Sequence, residues 1–400
     1  MTSPKALFLS PEAPFPAIGG GPLRSASLLQ YLARRFSVHA IVFREPGAPD
    51  PAPAIPAGLV DKLDVLHLPH HSKHPAARAL RNSLRFARNA PPLMDRFAGF
   101  PAEIAAFVAG SRYDAAIVEH FWCASYVEQL RPRAARLILD LHNIESVWFR
   151  TQAAFESPAR ALAMRRFATA SVALERKFLP EFDALLVASA PDAEHLRTLA
   201  PHASVTVYPN ALPEVPAPPR ANREEIVFSG NLEYAPNITA VRFFRDRIWP
   251  SLRSRWPNLH WKIVGKNPQA ISGMVRDDPR IELTGFVQDA VASLAQAQVA
   301  VVPVLTGSGT RVKILEAWAA ATPVVSTTPG AAGLDYRDGE HLLLADDPNN
   351  FIEVTSRLLA SPSERNRIGA AGRRLYEQSY TWPAAWRSLE PVLGNPAAGK

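Results

Sequence analysis

The sequence predicts an α/β fold with two Rossmann-like, doubly wound domains that face a central cleft. Three observations support this: the chain has 400 residues, short apolar runs alternate with helical stretches, and a proline-rich segment lies near the middle. Four hundred residues fit two domains of about 200 residues each. At 47% hydrophobic residues the chain can build two sizeable cores.

Thirteen apolar runs rich in Val, Ile and Leu predict strands buried on both faces, as in a parallel sheet covered by helices. Those in the first half are Ala6–Ser10, Val38–Phe43, Leu63–Leu68, Ala115–Glu119, Leu137–Leu141, Leu185–Ser189 and Val205–Tyr208. Those in the second half are Glu225–Ser229, His260–Val264, Arg280–Leu283, Val299–Val304, Pro323–Thr327 and Leu342–Ala345. Between strands, Arg24–Arg35, Arg160–Leu179 and Thr239–Arg255 have apolar residues at helical spacing.

The domain boundary is marked by proline. The segment 209–219 carries five prolines in eleven residues, which excludes a helix or a central strand. We therefore expect an N-terminal domain over 1–211, a linker over 212–224 and a C-terminal domain over 225–379. In such folds ligands bind beyond the carboxyl ends of the strands.

Charge and composition narrow the class of protein. The formal net charge is +7, with 23 cations against 19 acids in residues 1–215 and 21 against 18 in the remainder. This even spread gives no basic stripe, so a nucleic-acid-binding protein is kept only as an alternative. The single cysteine, Cys123, suits a reducing cytoplasm. No apolar run reaches the length of a membrane-spanning helix.

The strongest chemical signal is the segment 306–317, where a small-residue loop follows a strand and opens a helix. Thr310 is expected to cap this helix, which would run to about Ala321. Arg311 and Lys313 then fall in the first turn, where the helix dipole disfavours cations unless an anion offsets them. The pattern predicts a phosphate seat, with Ser308 and Gly309 allowing close approach of the backbone.

The first domain offers polar residues at strand ends. Gly19, Gly20 and Gly21 join the first strand to a helix expected to start at Pro22, and their spacing does not match a dinucleotide-binding fingerprint. Either this is a mobile turn, or its amides bind a diphosphate or an acceptor.

Two further groups follow buried strands of the same domain. His142 comes directly after Leu137–Leu141, and Glu145 lies three residues further on. Glu119 and His120 form a second polar pair at the end of another strand. All of these are expected at the ligand-binding edge of the sheet.

The residues Thr310–Ala317, followed by Thr322–Thr327, resemble the family 4 glycosyltransferases of the GT-B fold. Further matches are Gly19–Gly21, His142–Glu145, Pro209-Asn210, Phe228–Leu232 and Thr284–Val287. Two departures stand out. Ser308 occupies the place of the first carboxylate in the usual Glu-x7-Glu motif, and no basic residue follows Gly230. A subgroup with Gly-Thr-Arg-x-Lys-x-x-Glu fits better.

This resemblance implies transfer of a hexosyl group from a UDP- or GDP-sugar to a hydroxyl acceptor, with retention, in glycan, polysaccharide or glycolipid synthesis. It assigns catalysis to His142, Arg311 and Lys313, and ribose binding to Glu316, for which a simple pairing with Lys313 is the alternative. The other donor-binding residues would be Gly20, Gly21, Gly230, Asn231, Phe286, Val287, Ser308, Gly309 and Thr310. The acceptor side would be Glu119, His120 and Glu145. The segment 380–400 would cross back to the first domain.

No metal or other cofactor is expected. No Asp-x-Asp motif follows a strand, and the histidines at 67, 70, 71 and 74 lack a nearby carboxylate or cysteine. A nucleotide-sugar 2-epimerase of the same fold remains an alternative to the transferase.

Arginines recur at helical spacing between the third and fourth strands, at Arg78, Arg81, Arg85 and Arg88. Leu80 and Leu84 lie on a second face, so the helix is basic and amphipathic. A solvated surface is one interpretation. The other is contact with an anionic lipid or a phosphorylated acceptor, which would hold the protein at the inner face of the membrane.

Overall fold

A computed structural model describes residues 3–72, 74–154, 156–221, 223–306 and 311–394. The chain divides into two compact units. The N-terminal unit contains Met1–Asn210 and Ala385–Lys400, and the C-terminal unit contains Ala211–Ala384.

The N-terminal unit is built on a seven-stranded sheet in the order β3-β2-β1-β4-β5-β6-β7, in which every pairing is parallel. Its strands are β1 Lys5–Ser10, β2 Ser37–Arg44, β3 Lys62–His67, β4 Ala115–Glu119, β5 Leu137–Leu141, β6 Ala184–Val187 and β7 Ser204–Val207. The buried core lies on this sheet, because strands such as β4 and β5 are covered on both faces.

Eight α-helices accompany this sheet in the described part of the unit before its C-terminal segment. They are α1 Gly20–Ala33, α2 Pro75–Arg88, α3 Pro92–Phe97, α4 Pro101–Val108, α5 Val127–Leu130, α6 Glu145–Ala153, α7 Pro158–Phe178 and α8 Ala190–Leu199. The expected start of α1 at Pro22 is wrong. The helix begins at Gly20 with Gly19 as its N-cap at φ 99°, so Gly20 and Gly21 form its first turn.

The C-terminal unit holds a six-stranded parallel sheet in the order β10-β9-β8-β11-β12-β13. Its strands are β8 Arg223–Ser229, β9 His260–Val264, β10 Ile281–Gly285, β11 Ala297–Val302, β12 Val324–Ser326 and β13 Leu343–Leu344. All thirteen predicted strands are therefore present, with ends shifted by at most two residues.

The helices of this unit are α9 Ala235–Arg247, α10 Trp249–Arg255, α11 Gln269–Val275, α12 Ala290–Leu294, α13 Val312–Ala319, α14 Thr328–Ala331, α15 Pro348–Ala360 and α16 Pro362–Leu375. The segment Thr239–Arg255, predicted to be helical, belongs to two helices, α9 and α10. The chain breaks at Ile248, since Pro250 has no N–H to donate and is tolerated only in a first turn.

The expected cap of α13 at Thr310 is also wrong. Arg311 is the N-cap residue, and the helix runs from Val312 only to Ala319. It ends there because Ala321 adopts a positive φ of 52°, which a continuing right-handed helix does not allow.

The chain ends with α17 Trp382–Trp386 and α18 Glu390–Leu393. Trp386 packs against Tyr31 of α1, with ring centroids 6.0 Å apart, and its Nε1–H donates to Ser27 Oγ at 3.0 Å. Arg35 and Glu390 add an ion pair at 2.5 Å. These contacts tie the last segment into the N-terminal unit. None of the helices in the described ranges has the length and apolar character that crossing a membrane requires.

Both sheets have the strand order of doubly wound Rossmann folds. In each sheet the order in which successive strands are added reverses at one point, between β1 and β4 in the N-terminal unit and between β8 and β11 in the C-terminal unit. Ligands bind at the carboxyl ends of the strands beside such a reversal. Glu119 and His120 lie at the end of β4 in the N-terminal unit, and Gly230 and Asn231 follow β8 in the C-terminal unit, so these candidates lie beside the reversals.

Candidate active site

The N-terminal unit carries a buried ionic cluster at the ends of β4 and β5. Glu119 and Asp140 are paired in register across the two strands, and both are fully buried. Arg24 of α1 donates to both oxygens of Asp140, with Nε 2.8 Å from Oδ2 and Nη2 2.5 Å from Oδ1. His142 Nε2 lies 2.7 Å from Glu119 Oε2 and 3.4 Å from Asp140 Oδ2. The hydroxyl of Ser25 donates to the same Glu119 oxygen at 2.6 Å.

Burial and the charge of Asp140 raise the pKa of Glu119, and an imidazolium at His142 offsets this, because two carboxylates then face two cations. Burial disfavours its charge, but hydrogen bonds to Asp140 and Glu119 outweigh burial and raise the pKa of His142 to about 9. Burial raises the pKa of the Asp140 carboxyl, whereas the charge of the Arg24 guanidinium and the hydrogen bond to His142 lower it. The net effect is a pKa below the usual value. His142 is thus a fixed hydrogen-bond donor at neutral pH and has little capacity to act as a base.

His120 occupies a strained position beside His142. Its φ is 60°, in a region that residues with a side chain rarely adopt, and it is buried. The ring stacks on Trp122 with centroids 4.2 Å apart and lies 3.6 Å from the ring of His142. Burial, followed by the charge of His142, lowers the pKa of His120 well below 6.5. Such strain is typical of functional residues whose surroundings hold them in place.

Glu145 joins this group through Trp122. The indole N–H of Trp122 donates to Glu145 Oε1 at 2.8 Å. Burial raises the pKa of Glu145 to about 7, and nearby Glu175 adds to that effect. The first turn of α6 is anchored by Glu175, which accepts the Ser146 N–H at 2.9 Å. His120 and Glu145 are therefore linked by one aromatic side chain.

The first turn of α1 borders the same cluster. A Cβ added at Gly21 would lie 2.6 Å from Glu12 Oε1 and 3.8 Å from His142 Nδ1. Amides in the first turn of a helix have no partner inside that helix and attract anions. The structure thus brings Gly20 and Gly21 to the edge of His142 as helix N-terminal amides.

Glu119 was predicted to bind the acceptor, but the structure does not place it where an acceptor could reach it. It is completely buried behind His142 and holds that ring, so it is a positioning residue and presents no surface to an acceptor. His120 and Glu145 remain as acceptor-side candidates. Arg24 and Asp140 were not among the site residues predicted from the sequence. A carboxylate inside the apolar strand β5 was the available signal, because a buried charge requires a partner.

Glu119, Asp140 and His142 also have the spacing of a metal site, each offering a ligand atom within 4.8 Å of the others. Their atoms are already engaged. Arg24 bonds both oxygens of Asp140, and Ser25 and His142 share one oxygen of Glu119. Because a guanidinium already supplies positive charge at this point, the donor set does not fit a metal ion.

In the C-terminal unit, Lys313 lies in the first turn of α13. Its Nζ donates to Asn237 Oδ1 at 2.8 Å and lies 4.0 Å from the ring centroid of Phe228. Burial, followed by the charge of Arg311, lowers the pKa of Lys313 to about 7, although Glu316 acts in the opposite direction. The ammonium is poorly compensated, which is the property expected of a cation that waits for an anion.

Arg311 and Glu316 complete this end of α13. Arg311 is 8% exposed and donates from Nη2 to the Thr306 carbonyl at 3.2 Å. Glu316 Oε2 accepts from Ser229 Oγ at 3.2 Å, whereas the ammonium of Lys313 bonds Asn237. Burial raises the pKa of Glu316 to about 7. The simple Lys313–Glu316 pairing is therefore not the hydrogen-bonding arrangement found.

Gly230 is required by this geometry. Its φ is 153°, and an added Cβ would lie 2.7 Å from Asn237 Nδ2 and 3.0 Å from Lys313 Nζ. Asn237 also donates from Nδ2 to the Asn231 carbonyl at 2.8 Å, so it links the turn after β8 to Lys313. Asn237 and Ser229 were not among the site residues predicted from the sequence, because no local pattern distinguishes Asn237 from other helix residues.

Two of the remaining donor-side candidates, Phe286 and Val287, follow β10. Phe286 is 51% exposed. Ser308, Gly309 and Thr310 lie outside the described residues.

The four arginines of the basic helix α2 were expected to share one solvated face, and the structure shows a different arrangement. Arg85 is buried and pairs with Asp95 at 2.7 Å, and Arg81 donates to the Ser72 carbonyl at 3.4 Å. The apolar face is the exposed one, with Leu80 64% and Leu84 47% exposed. The prediction that the four arginines form a single solvated face is therefore wrong.

The model of the family "Glycosyl transferases group 1" matches residues 223–361. A similar curated protein is an MMP alpha-(1->4)-mannosyltransferase of Mycolicibacterium hassiacum, 36% identical over 98 residues, which are 24% of this chain and 24% of that protein. A D-inositol 3-phosphate glycosyltransferase of Corynebacterium diphtheriae is 34% identical over 85 residues, 21% of this chain and 20% of that protein. The matches thus span about a quarter or less of these relatives.

Solved structures match nearly the whole chain. A sucrose-phosphate synthase from Thermosynechococcus elongatus gives a TM-score of 0.70 at 18% identity, over 98% of each chain. HepE of Anabaena, solved in complex with UDP and glucose, gives 0.61 at 12% identity, over 97% of this chain and 98% of that one. Likeness at such low identity shows the fold alone, which is the two-domain α/β fold of GT-B proteins.

Proposed function

We propose that the protein transfers a hexosyl group from a nucleoside-diphosphate sugar to a hydroxyl acceptor, because residues 223–361 match the group 1 glycosyltransferase model within a GT-B fold. The observation that carries the proposal is the undercompensated Lys313 ammonium at the start of α13, inside the matched segment and beside Gly230. HepE, a structural neighbour, is solved with UDP, which supports a UDP-sugar as donor, and GDP-sugars are the alternative.

The C-terminal unit would hold the nucleotide. Arg311 and Lys313 bind the diphosphate, and Glu316 accepts hydrogen bonds from the ribose hydroxyls. Gly230 and Asn231 form the turn that the phosphates approach, and the backbone of Phe286 and Val287 contacts the base. As the anomeric bond breaks, negative charge grows on the diphosphate, so positioned cations stabilise the transition state more than the ground state.

The N-terminal unit would act on the sugar and the acceptor. His142, charged and held by Glu119 and Asp140, donates from Nδ1 at the edge where Gly21 leaves space. His120 and Glu145 face the acceptor. Retention of configuration is what the family resemblance implies, and no residue of the cluster is assigned as a covalent nucleophile.

Nucleotide binding tests this proposal most directly. We expect UDP or GDP, or one of their sugars, to raise the melting temperature, because a ligand at 100 times its Kd adds about 2.7 kcal/mol. Arg311→Ala and Lys313→Ala should lower kcat by about 10²–10³. Glu316→Gln should mainly weaken nucleotide affinity. Arg374→Ala removes an exposed arginine of the same unit and serves as the control. Normal turnover and affinity in both cation variants would refute the site.

Metal independence is a separate part of the proposal. It rests on two protein cations at the diphosphate seat and on the engaged donor atoms of the N-terminal cluster. Activity should survive EDTA. Complete loss that Mn²⁺ or Mg²⁺ restores would contradict this part.

Helix α2 would contact an anionic membrane surface. Its exposed Leu80 and Leu84 can enter the interface, while Arg78 and Arg88 face lipid phosphates at about 1 kcal/mol per charge. Leu80→Ser with Leu84→Ser, and Arg78→Gln with Arg88→Gln, should each weaken binding to phosphatidylglycerol vesicles.

Arg85 is left unchanged in these variants because it pairs with Asp95. Arg112→Gln with Arg136→Gln removes the same charge elsewhere in the unit and is the matched control. An equal loss of binding in this control would refute a specific role of α2.

A further inference from the structure

A groove of about 430 Å³ lies along one face of α7 in the N-terminal unit. Arg150 of α6 and Arg165 and Arg176 of α7 line it. Between the arginines, the groove is lined by small side chains of α7, namely Ala168, Thr169, Val172 and Ala173. These α7 positions recur every three or four residues, so they form one continuous helix face.

The arginines of this groove differ from the other cations of α7. Arg160 pairs with Glu156 at 3.5 Å, and Arg166 donates to Asn89 at 2.5 Å and covers the ring of Phe86. The three groove arginines have no carboxylate within ion-pairing distance among the described residues. Glu175 is buried, accepts the Ser146 N–H and interacts electrostatically with Arg150, but it forms no ion pair with it. The groove therefore carries positive charge, above all that of Arg165 and Arg176, without an ion-pair partner among the described residues.

The spacing of the charges indicates the shape of the ligand. Arg165 and Arg176 are eleven residues apart, or about 16 Å along the helix axis. One phosphate cannot span this distance, whereas an extended molecule with repeated negative charges can. The lining residues include no aromatic side chain on which a nucleobase could stack. A volume of about 430 Å³ falls within the range of small-molecule sites.

The groove adjoins the acceptor-side candidates. Glu145 begins α6, and Arg150 lies five residues later, about 7.5 Å along the axis. Glu175, which anchors the first turn of α6, directly precedes Arg176. A chain that occupies the groove thus leads toward Glu145 and, through Trp122, toward His120.

We propose that this groove binds an extended acidic saccharide, so that the acceptor of the transferase is an anionic glycan whose charged units lie against Arg150, Arg165 and Arg176. This inference rests on the proposed glycosyl transfer and names the substrate class of its acceptor side. The arginines supply affinity and direction, while the hydroxyl that reacts lies at the Glu145 end.

Binding of fluorescein-labelled hexagalacturonate, followed by fluorescence anisotropy at low salt, tests the inference. The wild-type protein should bind this probe, and the triple variant Arg150→Gln, Arg165→Gln, Arg176→Gln should bind it at least tenfold more weakly. A matched triple, Arg112→Gln, Arg136→Gln, Arg197→Gln, loses the same charge from exposed positions outside the groove. Its affinity should stay within twofold of wild type. Melting temperatures of both triples serve as the folding control.

Several results would overturn the inference. They are an equal loss in both triples, equally tight binding of labelled maltohexaose, equally tight binding of a hexathymidylate, or binding to phosphatidylglycerol vesicles without binding to the uronate. Thermal shifts with UDP and GDP separate this inference from the proposed function. A wild-type protein that binds a nucleotide but no hexagalacturonate refutes the acidic acceptor alone. One that binds no nucleotide refutes the proposed glycosyl transfer.

Discussion

Replacing Lys313 by Met should stabilise the free protein and weaken its affinity for the nucleotide. The ammonium is held by Asn237 and lies over Phe228. Burial and the charge of Arg311 lower its pKa from 10.5 to about 7. Methionine has a similar length and no charge, so it fits the same space without the cost of desolvation.

The magnitude follows from the two pKa values. The difference of 10.5 − 7 = 3.5 corresponds to about 5 kcal/mol at about 1.4 kcal/mol per pKa unit. Lys313 keeps part of its surface accessible, and the variant loses the bond to Asn237, so we expect a gain of about 2 kcal/mol at pH 7. Because the folded-state pKa is lowered, the penalty is complete below pH 7 and disappears above pH 10.5. Wild-type stability should therefore rise over this range more than that of the variant.

Nucleotide binding should reverse the pKa shift. At pH 8 a group with a pKa of about 7 is about one-tenth protonated, so charging Lys313 against a diphosphate takes up close to one proton. Calorimetry with UDP or GDP in HEPES and in Tris at pH 8 measures this uptake. Glu316→Gln removes the other group that titrates near pH 7 and shows whether the uptake belongs to Lys313.

Two results would refute the reasoning. The first is a Lys313→Met variant that is less stable than wild type at pH 7 in urea unfolding. The second is a variant that folds normally and binds the nucleotide with unchanged affinity. Binding without proton uptake in the wild-type protein would show that the free ammonium is already fully charged.

Three further predictions concern the N-terminal unit. Asp140→Asn leaves Arg24 buried without its charge partner and should cost about 3–5 kcal/mol in urea unfolding, whereas Asp183→Asn, at an exposed pair, should cost less than about 1 kcal/mol. His142 has a raised pKa, so its stabilising contribution is complete below pH 6.5 and is lost as the pH rises through about 9. The difference in unfolding free energy between wild type and His142→Gln should therefore shrink over that range. A constant difference would contradict the imidazolium. Trp386→Ala removes the packing on Tyr31 and the hydrogen bond to Ser27 and should lower the free energy of unfolding by about 2–3 kcal/mol. Pro383→Ala, at an exposed position, is the control. An equal effect of both changes would argue against the packing on Tyr31.

The sequence by itself predicted the strands and the two α/β units, and it pointed to the segment proposed here as the diphosphate seat. Runs such as Leu137–Leu141 are apolar on both faces, and this property of neighbouring residues predicts a buried parallel strand wherever it occurs. Arg311, Lys313 and Glu316 were identified because they stand within one short segment after a strand. Information of this kind is local, and a chain carries it before it folds.

Only the tertiary structure decided which side chains meet. Arg24 and Asp140 are 116 residues apart, and Lys313 and Asn237 are 76 apart, so no spacing in the sequence links them. The structure likewise turned the leucines of α2 outward and Arg85 inward toward Asp95, although the periodicity of that helix fits either orientation. A helical pattern defines two faces, but it is the packing of distant elements against one face, and the need of each buried charge for a partner, that determines which face is covered.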